Sequence, residues 1–371
     1  MSGHRRVRRV GLGAAVVLVI SSCTAHHPGA SAPTSSVAPP ASTGAPPTAI
    51  ASGLALVPTT SSPAEATSRV AASSSTPPSP SEVPQRTTAP NRTPLPTPPA
   101  GPTKGRPCGV SSTAHYTHVV WIWMENKGYG SVIGSSGAPF ENSLAKQCGL
   151  ATNNNGVSHP SLPNYLAATG GSTFGVTDDA SPSAHQISAN SIFGQLEQAG
   201  LTWRSYNESM PRNCDTSPSG AYAVKHNPAT YYVAVRAACG ANDVPLEGFF
   251  ARDLAAGSLP SFSFVTPNLC NDTHDCPVRV GDEWLATWIP KILAGPNYTS
   301  GNTLVIVTWD EGEGSSNRIP TIVIGPSVPV GTVAAQRFDH YALLRTTEDI
   351  LGLPHLQAAA SAPSMAAAFA L

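Results

Sequence analysis

Residues 303–314 read Thr303-Leu304-Val305-Ile306-Val307-Thr308-Trp309-Asp310-Glu311-Gly312-Glu313-Gly314. The first seven are β-branched or apolar without alternation, the pattern of a strand buried on both faces of its sheet. The run then stops on adjacent carboxylates and turns on glycines. Open α/β sheets bind ligands beyond the carboxyl ends of their strands, so Asp310 and Glu311 stand where such a sheet would hold a cation. Acids after a strand also serve as plain solvated turn residues, and what else reaches the same edge decides between the two.

Further strands are predicted at residues 117–123, 262–266 and 320–324. Helical spacing puts Trp284, Leu285, Trp288, Ile289, Ile292 and Leu293 on one stripe of residues 282–293, and a second helix runs over 340–351. Strands alternating with helices predict an α/β domain with a mostly parallel central sheet and helices on both faces. The first strand, Trp121-Ile122-Trp123-Met124, also runs into a polar pair, Glu125-Asn126. Two strands thus bring Glu125, Asn126, Asp310 and Glu311 to one edge. Three carboxylates and an amide carbonyl make a hard oxygen site suited to Mg²⁺, Ca²⁺ or Mn²⁺ more than to a soft metal.

The segment Ser158-His159-Pro160-Ser161-Leu162-Pro163-Asn164-Tyr165 follows a polar loop, Asn153-Asn154-Asn155-Gly156. Ser161 is predicted at a loop-to-helix junction, where free N–H groups can cradle an anion and metal coordination would activate its hydroxyl. Serine is equally a preferred helix cap. His159 reads either as a substrate contact or as a loop residue. In Pro267-Asn268-Leu269-Cys270-Asn271-Asp272-Thr273-His274-Asp275-Cys276, a bridge between the cysteines would present His274 rigidly, with Asp275 to orient it. Asn271 and Asp272 read as turn formers. His340 opens the last helix as a further candidate, beside Asp339 as an N-terminal cap.

The chain has 371 residues and net charge −1, which gives no electrostatic case for nucleic acid. Residues 1–23 carry Arg5, Arg6, Arg8 and Arg9, an apolar run from Val10 to Ile20, and Ser21-Ser22-Cys23. This describes an export signal in which Cys23 matches a lipidation site; an ordinary cleaved signal peptide is the alternative, and Arg8-Arg9 adds a weak twin-arginine feature. Residues 24–104 are rich in Ala, Ser, Thr and Pro, and read as a disordered tether, leaving 105–371 as the folded domain. Six cysteines remain after Cys23, an even number that implies bridges in an exported domain. Pairing nearest neighbours gives Cys108 with Cys148, Cys214 with Cys239, and Cys270 with Cys276.

Taken together, Glu125-Asn126, His159 to Tyr165, Asn271 to Asp275, Thr308 to Glu311 and His340-Tyr341 resemble the bacterial phosphoesterase family of secreted acid phosphatases and phospholipases C, within the alkaline phosphatase superfamily. The likeness is strongest to its mycobacterial secreted acid phosphatase branch, which acts on phosphatidylinositol 3-phosphate. It spans residues 118–354 and implies an alkaline-phosphatase-like sheet, a metal site from Glu125, Asn126, Asp310 and Glu311, and Ser161 as nucleophile. His274 falls where the family contacts phosphate, and His159, Asn164 and His340 are carried over as substrate-binding candidates. Two-metal superfamily members often have Asp-His where this chain has Asp310-Glu311, a departure from the family pattern that favours one divalent ion over two and Mg²⁺, Ca²⁺ or Mn²⁺ over Zn²⁺. The expected activity is hydrolysis of a phosphate monoester, a phosphorylated small molecule or phospholipid headgroup, through a phosphoserine. A phospholipase C-like diesterase and a non-catalytic surface-binding lipoprotein are the alternatives. The expected setting is the cell surface or secretion, with membrane contact only through the lipid anchor and no obligate protein partner.

Overall fold

A computed structural model describes residues 106–113 and 115–371. The signal, Cys23 and the tether lie outside those residues. The folded part is built on a nine-stranded sheet: β1 (His118–Met124), β2 (Gly149–Asn155), β3 (Trp203–Asn207), β4 (Asp243–Pro245), β5 (Phe262–Thr266), β6 (Thr303–Trp309), β7 (Arg318–Ile324), β8 (Thr332–Ala334) and β9 (Phe338–Asp339). The order is β4-β3-β5-β1-β6-β7-β2-β8, with β9 also paired to β2.

All pairings are parallel except β6 with β7 and β7 with β2. β7 reverses because only residues 310–317 join it to β6, too few for the crossover that a parallel neighbour needs. β1 and β6 are parallel, in register from His118 opposite Thr303 to Met124 opposite Trp309, so both deliver their next residues to the same edge.

Side-chain alternation along β1 sends Trp121 and Trp123 to one face and Met124 to the other. The tryptophan face meets the helices Ser161–Gly170 and His340–Leu351: Trp121 Nε1 donates to Thr347 Oγ1 at 3.1 Å, and the rings of Trp123 and Tyr165 lie 5.3 Å apart. Met124 faces the helix Val278–Ala294 at Gly281, where an added Cβ would come within 2.8 Å of its Cε and 2.4 Å of Thr273 Cγ2. Both faces are therefore covered, and β6 is buried along its whole length.

The predicted strands and the helices at 282–293 and 340–351 all form, the former helix beginning four residues earlier at Val278. β2 corrects the reading of Asn153-Asn154-Asn155 as loop. Asn154 is buried, its amide donating to Thr321 Oγ1 at 2.6 Å, so side-chain bonds across to β7 stabilise what local propensity disfavours.

Candidate active site

The edge beyond β1 and β6 is tied together by its own backbone. The N–H of Asp310 donates to Met124 O at 3.0 Å, and that of Asn126 to Asp310 Oδ1 at 3.0 Å. Asn126 has φ 50°, the left-handed conformation that Asn tolerates better than most residues. Its turn brings the carboxamide among three acids. One arm lies 3.2 Å from Glu311 Oε1, 3.3 Å from Glu125 Oε2 and 3.2 Å from Asp310 Oδ1. With its nitrogen on that arm the carboxamide donates to all three carboxylates, and turned over it would offer a cation a fourth oxygen beside theirs. The donor set is hard and buried, and it fits a divalent metal.

Ser161 joins this group. The N-cap of its helix is Pro160, which makes Ser161 the first helical residue and not the cap. Its hydroxyl donates instead to Glu125 Oε2 at 3.1 Å, and the side chain is buried. The other oxygen of Glu125 accepts from the Tyr165 hydroxyl, one turn further along the same helix.

A second set of residues closes the site from the β5 side. His226 is buried with its ring stacked on Tyr165, 5.3 Å between centroids at 5°. Its Nε2 lies 3.2 Å from Glu125 Oε2 and its Nδ1 3.4 Å from Asp272 Oδ2. The loop bearing Asp272 is pinned to β1: Glu125 N–H donates to Asp272 O at 2.8 Å, and Thr273 Oγ1 to Glu125 O at 2.8 Å. His274 follows, its N–H on Asp272 Oδ1 at 2.7 Å and its Nδ1 at 2.7 Å from Asp275 Oδ1. Ligand atoms of Glu125, His226 and His274 lie within 4.8 Å of one another, so nitrogen donors border the oxygen group.

Crowding these acids in a dry site raises their pKa values. Burial, with Glu311 adding its charge, pushes Asp310 up to about 8. Burial pushes Asp272 up to about 8 and, with Asp310 and Asp272 adding to it, raises Glu125 well above the carboxylate range. Glu311 is pushed to about 7 by burial and then by Asp179. Burial lowers His226 well below the usual imidazole range, so it is neutral near pH 7 and has one N–H for two neighbouring carboxylates. Without a cation the cluster therefore holds protons.

Two residues carried over as substrate contacts make their hydrogen bonds within the protein. Asn164 is buried, its Oδ1 accepting from the N–H groups of Val157 and Ser158 at 2.8 and 2.9 Å. Its Nδ2 donates to the carbonyls of Ser158 and Pro160 at 3.0 and 3.1 Å, which leaves nothing for a phosphate. It locks the loop that leads to Ser161. His340 is buried behind the acids, its Nε2 bonded to Asp310 O and its ring 4.9 Å from Trp123. It supports Asp310 from beneath. His159 is half exposed at the rim, Nδ1 2.5 Å from Glu311 Oε2.

The pairs Cys108–Cys148, Cys214–Cys239 and Cys270–Cys276 are bonded. The last encloses Asp272 and His274.

The sequence assigns no role to His226, Tyr165, Asp179 or Lys225, and Asp272 reads there only as a turn former. Lys225 Nζ lies 2.8 Å from Asp179 Oδ2, and Asp179 Oδ1 accepts from Leu162 N–H at 2.9 Å. The adjacency Lys225-His226, in a segment without periodicity, was the one available signal.

A buried serine hydroxyl beside clustered carboxylates at the carboxyl edge of an α/β sheet is an arrangement suited to hydrolytic chemistry. The family is explicit in the sequence: residues 123–354 match the Phosphoesterase family, and the chain belongs to it. A phosphatidylinositol-3-phosphatase of Mycobacterium tuberculosis is 38% identical over 256 residues, 68% of this chain and 83% of that protein. An acid phosphatase of Aspergillus fumigatus is 32% identical over 252 residues, 63% of this chain and 55% of that protein, so the chain spans about half of that fungal relative. A solved protein of the alkaline phosphatase superfamily from Vibrio parahaemolyticus aligns with TM-score 0.49 at 14% identity, over 71% of this chain and 74% of that one.

Proposed function

We propose that this chain is an exported, metal-dependent phosphatase that hydrolyses phosphate monoesters, phosphoinositides among them, through a phosphoserine at Ser161. The observation that carries the reading is the buried Ser161 hydroxyl hydrogen-bonded at 3.1 Å to Glu125, itself one of three carboxylates gathered around the Asn126 carboxamide at the same edge. Family membership and the names of the matched relatives support the substrate class.

Glu125, Asn126, Asp310 and Glu311 would hold the cation, with Ser161 beside them. Bound there, a divalent ion would lower the hydroxyl pKa and offset charge on the phosphoryl oxygens. The chain's own residues do the rest. Ser161 Oγ loses its proton and attacks phosphorus as the P–O bond to the leaving group breaks, that oxygen takes up a proton, and water later cleaves the serine phosphate to release inorganic phosphate and restore the hydroxyl. Tyr165 holds Glu125 in orientation, since burial and the neighbouring acids raise its pKa well above the phenol range and keep it a donor. His274, with its Nδ1–H engaged by Asp275, would in its imidazolium form donate Nε2–H to a phosphoryl oxygen or to the departing alkoxide.

The test is turnover of p-nitrophenyl phosphate and a phosphoinositide by the full chain, with chelator, with restored Mg²⁺, Ca²⁺ or Mn²⁺, and in Ser161→Ala. Turnover should vanish in the variant and on chelation, and return with metal. Undiminished turnover in Ser161→Ala would remove the nucleophile, and turnover indifferent to chelation would remove the metal.

A further inference from the structure

The Asp179 carboxylate makes an unusual bridge beside the nucleophile. One oxygen accepts from the N–H of Leu162, the residue directly after Ser161, at 2.9 Å. The other lies 2.8 Å from the Lys225 ammonium. A carboxylate is thus held by an N–H of the helix start and by a cation, the two donors that a phosphoryl group would use. The side chains of Lys225 and Asp179 are 22% and 27% exposed, so the pair is open to an incoming ligand. Lys225 is next in sequence to His226, which touches Glu125. Its charge acts on Glu125, Asp272 and Glu311, lowering the pKa of each. Burial opposes its own protonation, but Asp179, Glu125 and Asp310 outweigh that, and it stays an ammonium.

We propose that Lys225 is the cation that receives non-bridging oxygens of the substrate's phosphoryl group, and that Asp179 holds their position until the substrate displaces it. This rests on the phosphatase reading above and gives it a source of selectivity. A monoester is largely dianionic at pH 7 whereas a diester carries one charge, so a cation here favours the monoester. The internal carboxylate must be expelled first, and it competes with the ligand for both donors.

The two side chains therefore act with opposite sign. Calorimetric binding of inorganic phosphate to the metal-loaded full chain, and KM and kcat for p-nitrophenyl phosphate and its bis-ester, test this at pH 7. Lys225→Gln should weaken phosphate binding about tenfold or more, since a charge-assisted hydrogen bond is lost. It should raise KM for the monoester by a similar factor and for the diester by much less, and Lys225→Arg should restore most of the loss. Asp179→Asn should bind phosphate more tightly than wild type and lower KM for the monoester. Unchanged phosphate affinity in Lys225→Gln, an equal loss on both esters, or Asp179→Asn weakening phosphate binding would overturn the assignment. Wild-type protein that binds phosphate through Lys225 but turns over neither ester would refute the phosphatase reading and leave the anion site standing. Failure of wild type to bind phosphate at all would remove the anion site itself.

Discussion

Tyr165→Phe removes a single oxygen from the interior and isolates what the Glu125 support contributes. The phenylalanine ring keeps the contacts at 5.3 Å with both Trp123 and His226, so packing is preserved. Glu125 Oε1 loses its donor, while Oε2 retains Ser161 at 3.1 Å. A hydrogen bond to a charged group contributes about 1.5–3 kcal/mol, roughly 10- to 150-fold in an equilibrium constant. Residues that orient a metal ligand from behind typically change affinity about 10- to 100-fold. The two routes converge on a loss of roughly 10- to 100-fold in divalent-cation affinity. Titration of Mn²⁺ into chelator-treated protein measures it, with turnover at saturating cation as the companion reading. Affinity should fall by that factor and turnover should largely recover when the ion is in excess. Wild-type affinity in a folded Tyr165→Phe protein would refute the view that the phenol fixes the ligand.

Metal-free protein should lose stability as pH rises. Asp310 and Asp272 have folded-state pKa values of about 8, against roughly 4 unfolded. Their protonated forms favour the fold fully below the lower value, and that contribution is lost as pH climbs through the higher, at up to about 1.4 kcal/mol per pH unit for each group. Urea midpoints in chelator should fall between pH 5 and 8, and added divalent cation should abolish the fall; a flat profile in chelator would count against the protonated cluster. Asn164→Ala strips four hydrogen bonds from the loop before Ser161. It should destabilise by about 2–4 kcal/mol in urea denaturation and slow turnover, without removing a phosphate contact.

The strands of the sheet's centre were legible because they are buried on both faces. β1, β6 and β7 are buried almost end to end and largely apolar, and a polar pair at the end of β1 or β6 is conspicuous. Glu125, Asn126, Asp310 and Glu311 were readable for that reason, and the register of β1 on β6 brings them to one edge. β2 was hidden because its asparagines are satisfied by partners remote in sequence, Thr321 for Asn154 and Phe338 for Asn155. Lys225 and His226 lie in a short 3-10 turn with no repeating pattern. Asp272 looks like a turn residue locally; only the docking of its loop on β1 turns it inward. Asn164 and His340, carried over as substrate contacts, are bonded to backbone around the site and brace its framework.

β1 lies in the interior of the sheet, between β5 and β6, and both the Asp310 and Asp272 segments are hydrogen-bonded to its end. Amide protons there should exchange only when the whole domain opens, while the rim β4 and β8 exchange early. Glu125, Asn126, Asp310 and Glu311 then share one cooperative unit with the most protected strands. Partial opening at the margins would leave them assembled, and loss of the site would coincide with global unfolding.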